Sequence, residues 1–325
     1  MQINLDNIEI LSLILCIGVI TATIIRRRTG INPGGIITSP FMVISFIFSP
    51  LWGITLLVLG YIVYKIYNRF FTQVYFGRYP MYITGILSIV LVYATALIYT
   101  KLNLVSQMNL NHLYGLIVPA IIAMAIRKQG PEKTYKYTVL STLISGIIFS
   151  AVYLAITAIF KYDFYEIEGL REGLQDFSLN NSFILILVSI LVSFVIYYFT
   201  KIKSGGYIVL PYLAVLAFYP KNLLIFALSL LFLIWIVKLL KHYTLVVGIT
   251  RYTLVLCVAI VLVGTIETYL LRNGFTISPF MGANIFPALA LAAIANDFAV
   301  QKTRKTIPYL ALNLAVVGIV YFFLR

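Results

Sequence analysis

The sequence predicts an all-α integral membrane protein, a polytopic helical bundle of two parallel tandem repeats with short proline-interrupted helices in each repeat. Three observations predict it. Apolar runs recur from end to end, charged residues gather in the breaks between them, and a set of glycine and proline landmarks returns 171 residues later. Of the 325 residues, 62% are hydrophobic and 10% charged, and the mean hydropathy is +1.00. A soluble domain carries roughly a quarter charged residues, so water is the wrong solvent for most of this surface.

Crossing about 30 Å of hydrocarbon takes an α-helix of about 20 residues. Eight segments meet that length: Ile8 to Ile25, Leu51 to Tyr67, Tyr82 to Tyr99, Tyr137 to Phe160, Phe183 to Thr200, Leu223 to Leu240, Tyr252 to Leu271 and Ile307 to Leu324. The first has Asp6 and Glu9 at its start and Arg26, Arg27 and Arg28 at its end, the reverse of a cleaved leader with a basic start, so it is expected to be a retained span. Four further apolar segments are shorter: Gly34 to Ser49, Leu113 to Ile126, Gly205 to Tyr219 and Phe280 to Ala295. Each contains a proline, at Pro40, Pro119, Pro211 and Pro287. At about 1.5 Å per residue these reach roughly 20 to 25 Å, which makes them thin spans, broken helices or re-entrant segments.

Charge placement helps to choose, because Lys and Arg accumulate in short cytoplasmic loops. With all twelve segments crossing and the N-terminus outside, 18 of 24 basic residues fall inside, among them Arg26 to Arg28, Lys65, Arg69, Arg78, Arg127, Lys128, Lys133 and Lys136. Most acids, including Asp163, Glu166, Glu168, Glu172 and Asp176, fall outside. If the four short segments re-enter instead, the split is 15 to 9, a poorer fit.

The repeat is read from ordered landmarks. Gly34, Gly35, Pro40 and Gly77 return as Gly205, Gly206, Pro211 and Gly248, Pro119 pairs with Pro287, and Lys133-Thr134 with Lys302-Thr303. An even number of crossings per copy makes the second copy enter the membrane facing the same way as the first, so the repeats are parallel. The expected organisation is a first repeat over 1–162, an extracellular linker over 163–180 and a second repeat over 181–325.

Independent catalysis is not expected. No acid pair, histidine–nucleophile set or phosphate loop of the GxxxxGK type occurs, and Cys16, Cys257, His112 and His242 are isolated, so no catalytic residue, metal or cofactor is assigned. Three groups of residues are candidates for function. Gly34, Gly35, Pro40, Pro119, Gly205, Gly206, Pro211 and Pro287 mark matched helix breaks, which serve either as packing devices or as the lining of a substrate path. Arg127, Lys128 and Gln129, with Arg78, either anchor the chain at the cytosolic surface or contact an anion or partner there. Glu267, an acid inside one of the eight long segments, either snorkels or pairs near Arg272, or is functional because a carboxylate is costly in a membrane.

Three stretches resemble the PgsC/CapC family, the membrane component of poly-γ-glutamate synthesis. They are RTGINPGGIITSP with Thr29, Gly30, Ile31, Pro33 and Gly35; FGRYPMYITGI with Gly77, Arg78, Ile83, Thr84 and Gly85; and GLIVPAIIAMAIRKQG, Gly115 to Gly130. The chain departs from the family in carrying two units, and in reading Thr38-Ser39-Pro40-Phe41 and Val209-Leu210-Pro211-Tyr212 where the family has valine-proline-glycine-tyrosine. The resemblance implies a non-catalytic subunit of a bacterial cell membrane that anchors a cytosolic ATP-dependent amide ligase and helps pass an anionic polymer outward. Its implied partners are that ligase, other membrane subunits, the bilayer and the polymer, with no nucleic acid. A self-sufficient secondary transporter or channel for a small anionic solute is the alternative, and it fits the repeats and broken helices.

Overall fold

The computed structural model describes residues 8–74, 77, 79–102, 115–159, 179–202, 209–243, 248–273, 280, 285–301 and 303–324. The expected linker over 163–180 falls almost wholly outside them. The chain divides into two compact units, one of residues 1–5 and 13–164, the other of residues 6–12 and 165–325.

The first unit follows its punctuation. Helix α1 (Ile8–Thr29) ends in Arg26, Arg27 and Arg28, whose charge complements the negative end of the helix dipole. Gly30 stops it at φ +70°, its N–H donating to the Arg26 carbonyl at 2.9 Å. After a non-helical stretch comes α2 (Thr38–Phe48). Ser49 then caps α3 (Pro50–Phe70), its hydroxyl accepting from the Trp52 N–H at 3.4 Å with Pro50 in the first turn, where a missing N–H costs nothing. Helix α4 (Tyr79–Lys101) precedes α5 (Val118–Gln129). Gly130, at φ +85°, and Pro131 make the corner into α6 (Pro131–Leu154), which a π-helical turn extends over Ala155–Ile159.

The second unit repeats this order with α7 (Leu179–Thr200), α8 (Val209–Leu216), α9 (Pro220–Tyr243), α10 (Gly248–Arg272), α11 (Ile285–Gln301) and α12 (Thr303–Leu324). Packing repeats too. Helix α5 lies against α3, α4, α6 and α2, as α11 lies against α9, α10, α12 and α8, while α2 packs on α6 as α8 packs on α12. Gly77 and Gly248, equivalent in sequence, both turn at positive φ, +69° and +65°, at the entrance to the fourth helix of their unit.

Among the described residues eight helices are long and apolar enough to cross a membrane, and they coincide with the eight long segments of the sequence. Their outward faces remain apolar: Phe323 is 81% exposed, Phe199 78% and Ile159 72%. Water would not tolerate so continuous an apolar surface, whereas lipid solvates it. Along α6, buried hydroxyls are satisfied locally. The buried hydroxyls of Thr134, Thr138, Thr142 and Ser145 on α6 each donate to the carbonyl one turn earlier at 2.7 to 2.9 Å.

The four short helices have 11, 12, 8 and 17 residues. Their prolines lie in the first turn: Pro40 third in α2, Pro119 second in α5, Pro211 third in α8 and Pro287 third in α11. Each interruption therefore lies before the proline, and the proline marks where the helix resumes.

Candidate functional site

In the first unit, three contacts fix the depth of the break. The Ser39 hydroxyl meets that of Ser141, ten residues into α6, so α2 starts about 15 Å along that helix. Ser88, in the middle of α4, donates to the Leu116 carbonyl at 2.5 Å, which sets the start of α5 at mid-span. Gly34 and Gly35, just before α2, lie against Ile122 and Ile121 of α5. Two half-length helices thus start in one central layer and run in opposite directions, and buried non-helical backbone leads into α2. Ile37 and Ile117 precede them and give no side-chain cap.

The glycines are required there. Gly34 has φ +70° and Gly35 φ +111°, both are buried, and a Cβ on Gly35 would stand 2.3 Å from Ile121 Cγ2. Asn32 shapes the turn by accepting the Gly35 N–H on its side-chain oxygen at 2.8 Å, and the Thr38 hydroxyl closes it on the Gly34 carbonyl at 2.7 Å. Pro40 fits against Gly18 of α1, where a Cβ would come within 2.6 Å of the ring. In this structure the layer is closed by these packed side chains.

Gln129 pins the whole loop. Its Oε1 accepts the Asn32 N–H at 2.9 Å, while its Nε2 donates to the Asn32 carbonyl at 2.6 Å and to the Thr134 hydroxyl at 3.1 Å. Both amide hydrogens are engaged internally, so Gln129 acts as a clamp; the sequence placed it with the two cations beside it. Arg127 is half-buried with its guanidinium 5.2 Å from the centre of the Tyr67 ring, and Lys128 is exposed. Arg78 lies outside the described residues.

These contacts bring together the ends of α1, α3 and α5 and the start of α6. Arg26, Arg27 and Arg28, Lys65 and Arg69, Arg127 and Lys128, and Lys133 and Lys136 therefore share one end of the unit, with Glu132 the acid among them. Three helix C-termini explain part of this charge. The rest leaves this end of the unit with a net positive charge.

The equivalent end of the second unit is built differently. Arg251, on α10, is 7% exposed and donates from Nη2 to Asn296 Oδ1 on α11 at 3.3 Å. Asp297, next in α11, is also 7% exposed, and Lys241 donates to the Ala299 carbonyl at 2.6 Å. Arg127 and Lys128 correspond in order to Asn296 and Asp297. Arg251 thus turns inward, while Lys238, Lys241 and Arg304 of the second unit are exposed. Arg251 is one of the 18 basic residues that the charge split counts inside, and its burial against Asn296 is not visible in the sequence.

Pro211 and Pro287 are buried, and Gly205 and Gly206 lie outside the described residues. Glu267 does not snorkel: it is 0% exposed, and Arg272 reaches Glu9 at 3.0 Å. Among the described residues no group of three or more His, Cys, Asp or Glu is arranged to hold a metal.

Apolar helices of spanning length with exposed apolar faces define a multi-pass helical membrane protein. The profile of the capsule biosynthesis CapC family matches it twice, over residues 17–135 and 188–307. The chain belongs to that family, in a tandemly duplicated form. Both matches begin within the first helix of a unit and reach the start of its sixth, so each unit carries one copy. Searches of curated proteins and of solved structures gave no match.

Proposed function

We propose that this chain is the non-catalytic membrane subunit of a poly-γ-glutamate-type capsule polymer synthesis and export complex. In this reading the basic end of the first repeat faces the cytosol of a bacterial cell and holds an ATP-dependent amide ligase or its anionic product. The observation that carries the reading is the difference at two matched positions: α5 ends in Arg127 and an exposed Lys128, where α11 has Asn296 and a buried Asp297, with Arg251 held inward against Asn296. A positive-inside bias alone gives no reason for these matched positions to differ in charge. Single exposed ion pairs are weak, but hydrogen bonds to charged groups contribute about 1.5 to 3 kcal/mol, and a cluster adds several.

The test is the double variant Arg127→Gln/Lys128→Gln. Membrane insertion is expected to persist, since sixteen other basic residues still favour the same orientation. Ligase co-purification and polymer export are expected to fall, and high salt should weaken the wild type in the same direction. Wild-type values of both at every salt concentration would make the two residues membrane anchors only. Solute flux through liposomes holding this chain alone would favour the self-sufficient transporter instead.

A further inference from the structure

Arg251 is a buried cation in a place where the first copy needs none. It stands in the first turn of α10, the positive end of the helix dipole, three residues after Gly248, which turns at φ +65°. Counted back by the 171 residues that relate Gly248 to Gly77, its position is held in the first copy by Pro80, which is also buried. The corner therefore packs without a charge. In the second copy a guanidinium occupies it at 7% exposure, and taking a cation out of water is costly unless a counter-charge and hydrogen bonds replace the water.

The chain supplies little of either. Arg251 Nη2 donates to the neutral Asn296 Oδ1 at 3.3 Å, longer than the usual range of about 2.7 to 3.2 Å, and Nε is enclosed with no hydrogen-bond partner. Among the described residues no carboxylate forms an ion pair with it. Glu9 meets Arg272, Glu132 belongs to the first unit, Glu267 lies about 24 Å further along α10, and Asp297, next to Asn296, makes no ion pair with this guanidinium. The carbonyls that end α11 lie beyond Asn296, and that of Ala299 takes Lys241. Other charges exposed at this end of the unit, Lys238 and Lys241 on α9 and Arg304 on α12, are cations too.

We propose that Arg251 is the centre of an oxyanion site at the start of α10, which takes a single carboxylate or phosphate group. A guanidinium presents its N–H donors in a planar fork that matches two oxygens of one such group. Side chains lean back towards the N-terminus of their helix, so the fork lies on the side where the first N–H groups and the dipole of α10 also favour an anion. Asn296 Nδ2, without a partner among the described residues, adds a further donor. A free anion and the headgroup of an acidic lipid share this chemistry. The site is independent of the ligase-anchoring reading and stands whether or not that reading does.

The test is the thermal unfolding midpoint of the full chain. In phosphatidylcholine nanodiscs it is measured in sodium glutamate and in sodium phosphate, each against sodium chloride at matched ionic strength; in sodium chloride it is measured again with phosphatidylglycerol in the discs. A rise of several degrees with glutamate or phosphate identifies a free oxyanion as the occupant, and a rise with phosphatidylglycerol alone identifies a headgroup. Arg251→Met is expected to fold and to lose the rise. Asn296→Asp supplies a carboxylate from within the chain, so it is expected to raise the midpoint by itself and to leave no further response to added oxyanion. Arg127→Gln/Lys128→Gln is expected to keep the rise, which separates this site from the basic end of the first unit. No rise with any of the three probes, or a rise that survives in both Arg251→Met and Asn296→Asp, overturns the site.

Discussion

The side-chain amide of Gln129 is paired with the backbone of Asn32, 97 residues earlier, accepting its N–H at 2.9 Å and donating to its carbonyl at 2.6 Å. An amide side chain thus does what a neighbouring strand would do, satisfying both polar groups of a residue in a loop that has no ladder of its own.

Replacing Gln129 with Glu keeps the acceptor for the Asn32 N–H but sets a carboxylate oxygen against the Asn32 carbonyl and Thr134. The expected cost is about 1 to 3 kcal/mol, the penalty for leaving a partly buried group unpaired. Gln129→Ala should cost a similar amount. Thermal unfolding of the detergent-solubilised chain checks both, and unchanged midpoints would remove the clamp from the account.

Gly35 combines a left-handed φ of +111° with a neighbour at 2.3 Å, so even Gly35→Ala meets both backbone strain and a clash. We expect a loss of roughly 3 kcal/mol or more, seen as reduced yield and a lower unfolding midpoint, and partial rescue by Ile121→Ala. Gly30 is the control. Its φ is +70° but nothing lies within 4 Å, so Gly30→Ala should cost only about 1 kcal/mol.

Arg251 and Asn296 should behave as a coupled pair. Asn296→Leu leaves a buried guanidinium without its amide partner and is expected to destabilise by about 1 to 3 kcal/mol. Arg251→Met should be better tolerated, because it removes the charge as well as the bond. The double variant is then expected to be more stable than Asn296→Leu alone, and a double-mutant cycle in unfolding midpoints measures the coupling.

The 18 to 6 charge split predicts twelve crossings with both termini outside. A cysteine introduced at Asp176, with Cys16 and Cys257 replaced, should be labelled by an impermeant maleimide from outside the cell. One introduced at Arg69 should not be, and labelling there would favour re-entrant short segments.

The long helices were legible because their signal is local. A run such as Tyr82 to Tyr99 is apolar whatever surrounds it, and its length is set by the bilayer, so it predicts α4 to within three residues at each end. The short helices were legible as segments but not in their limits: Gly34 to Ser49 contains α2, which begins at Thr38, and Leu113 to Ile126 gives way to α5 from Val118 to Gln129. Their starts depend on what Gly34, Gly35 and Leu116 touch across the unit, and hydropathy does not record that.

The sequence by itself determined the solvent, the span lengths and the duplication, since composition, periodic length and the order of Gly34, Gly35, Pro40 and Gly77 against their second copies are properties of the chain alone. Tertiary structure alone decided which polar side chains face inward. Gln129 reads as a surface donor and Arg251 as one more inner-side cation until Asn32 and Asn296 are found opposite them, and snorkelling stays open for Glu267 until its exposure is seen to be zero. The physical reason is that hydrophobic burial sums over a helix and is visible in one segment, whereas the cost of a buried polar group depends on a partner that can lie a hundred residues away.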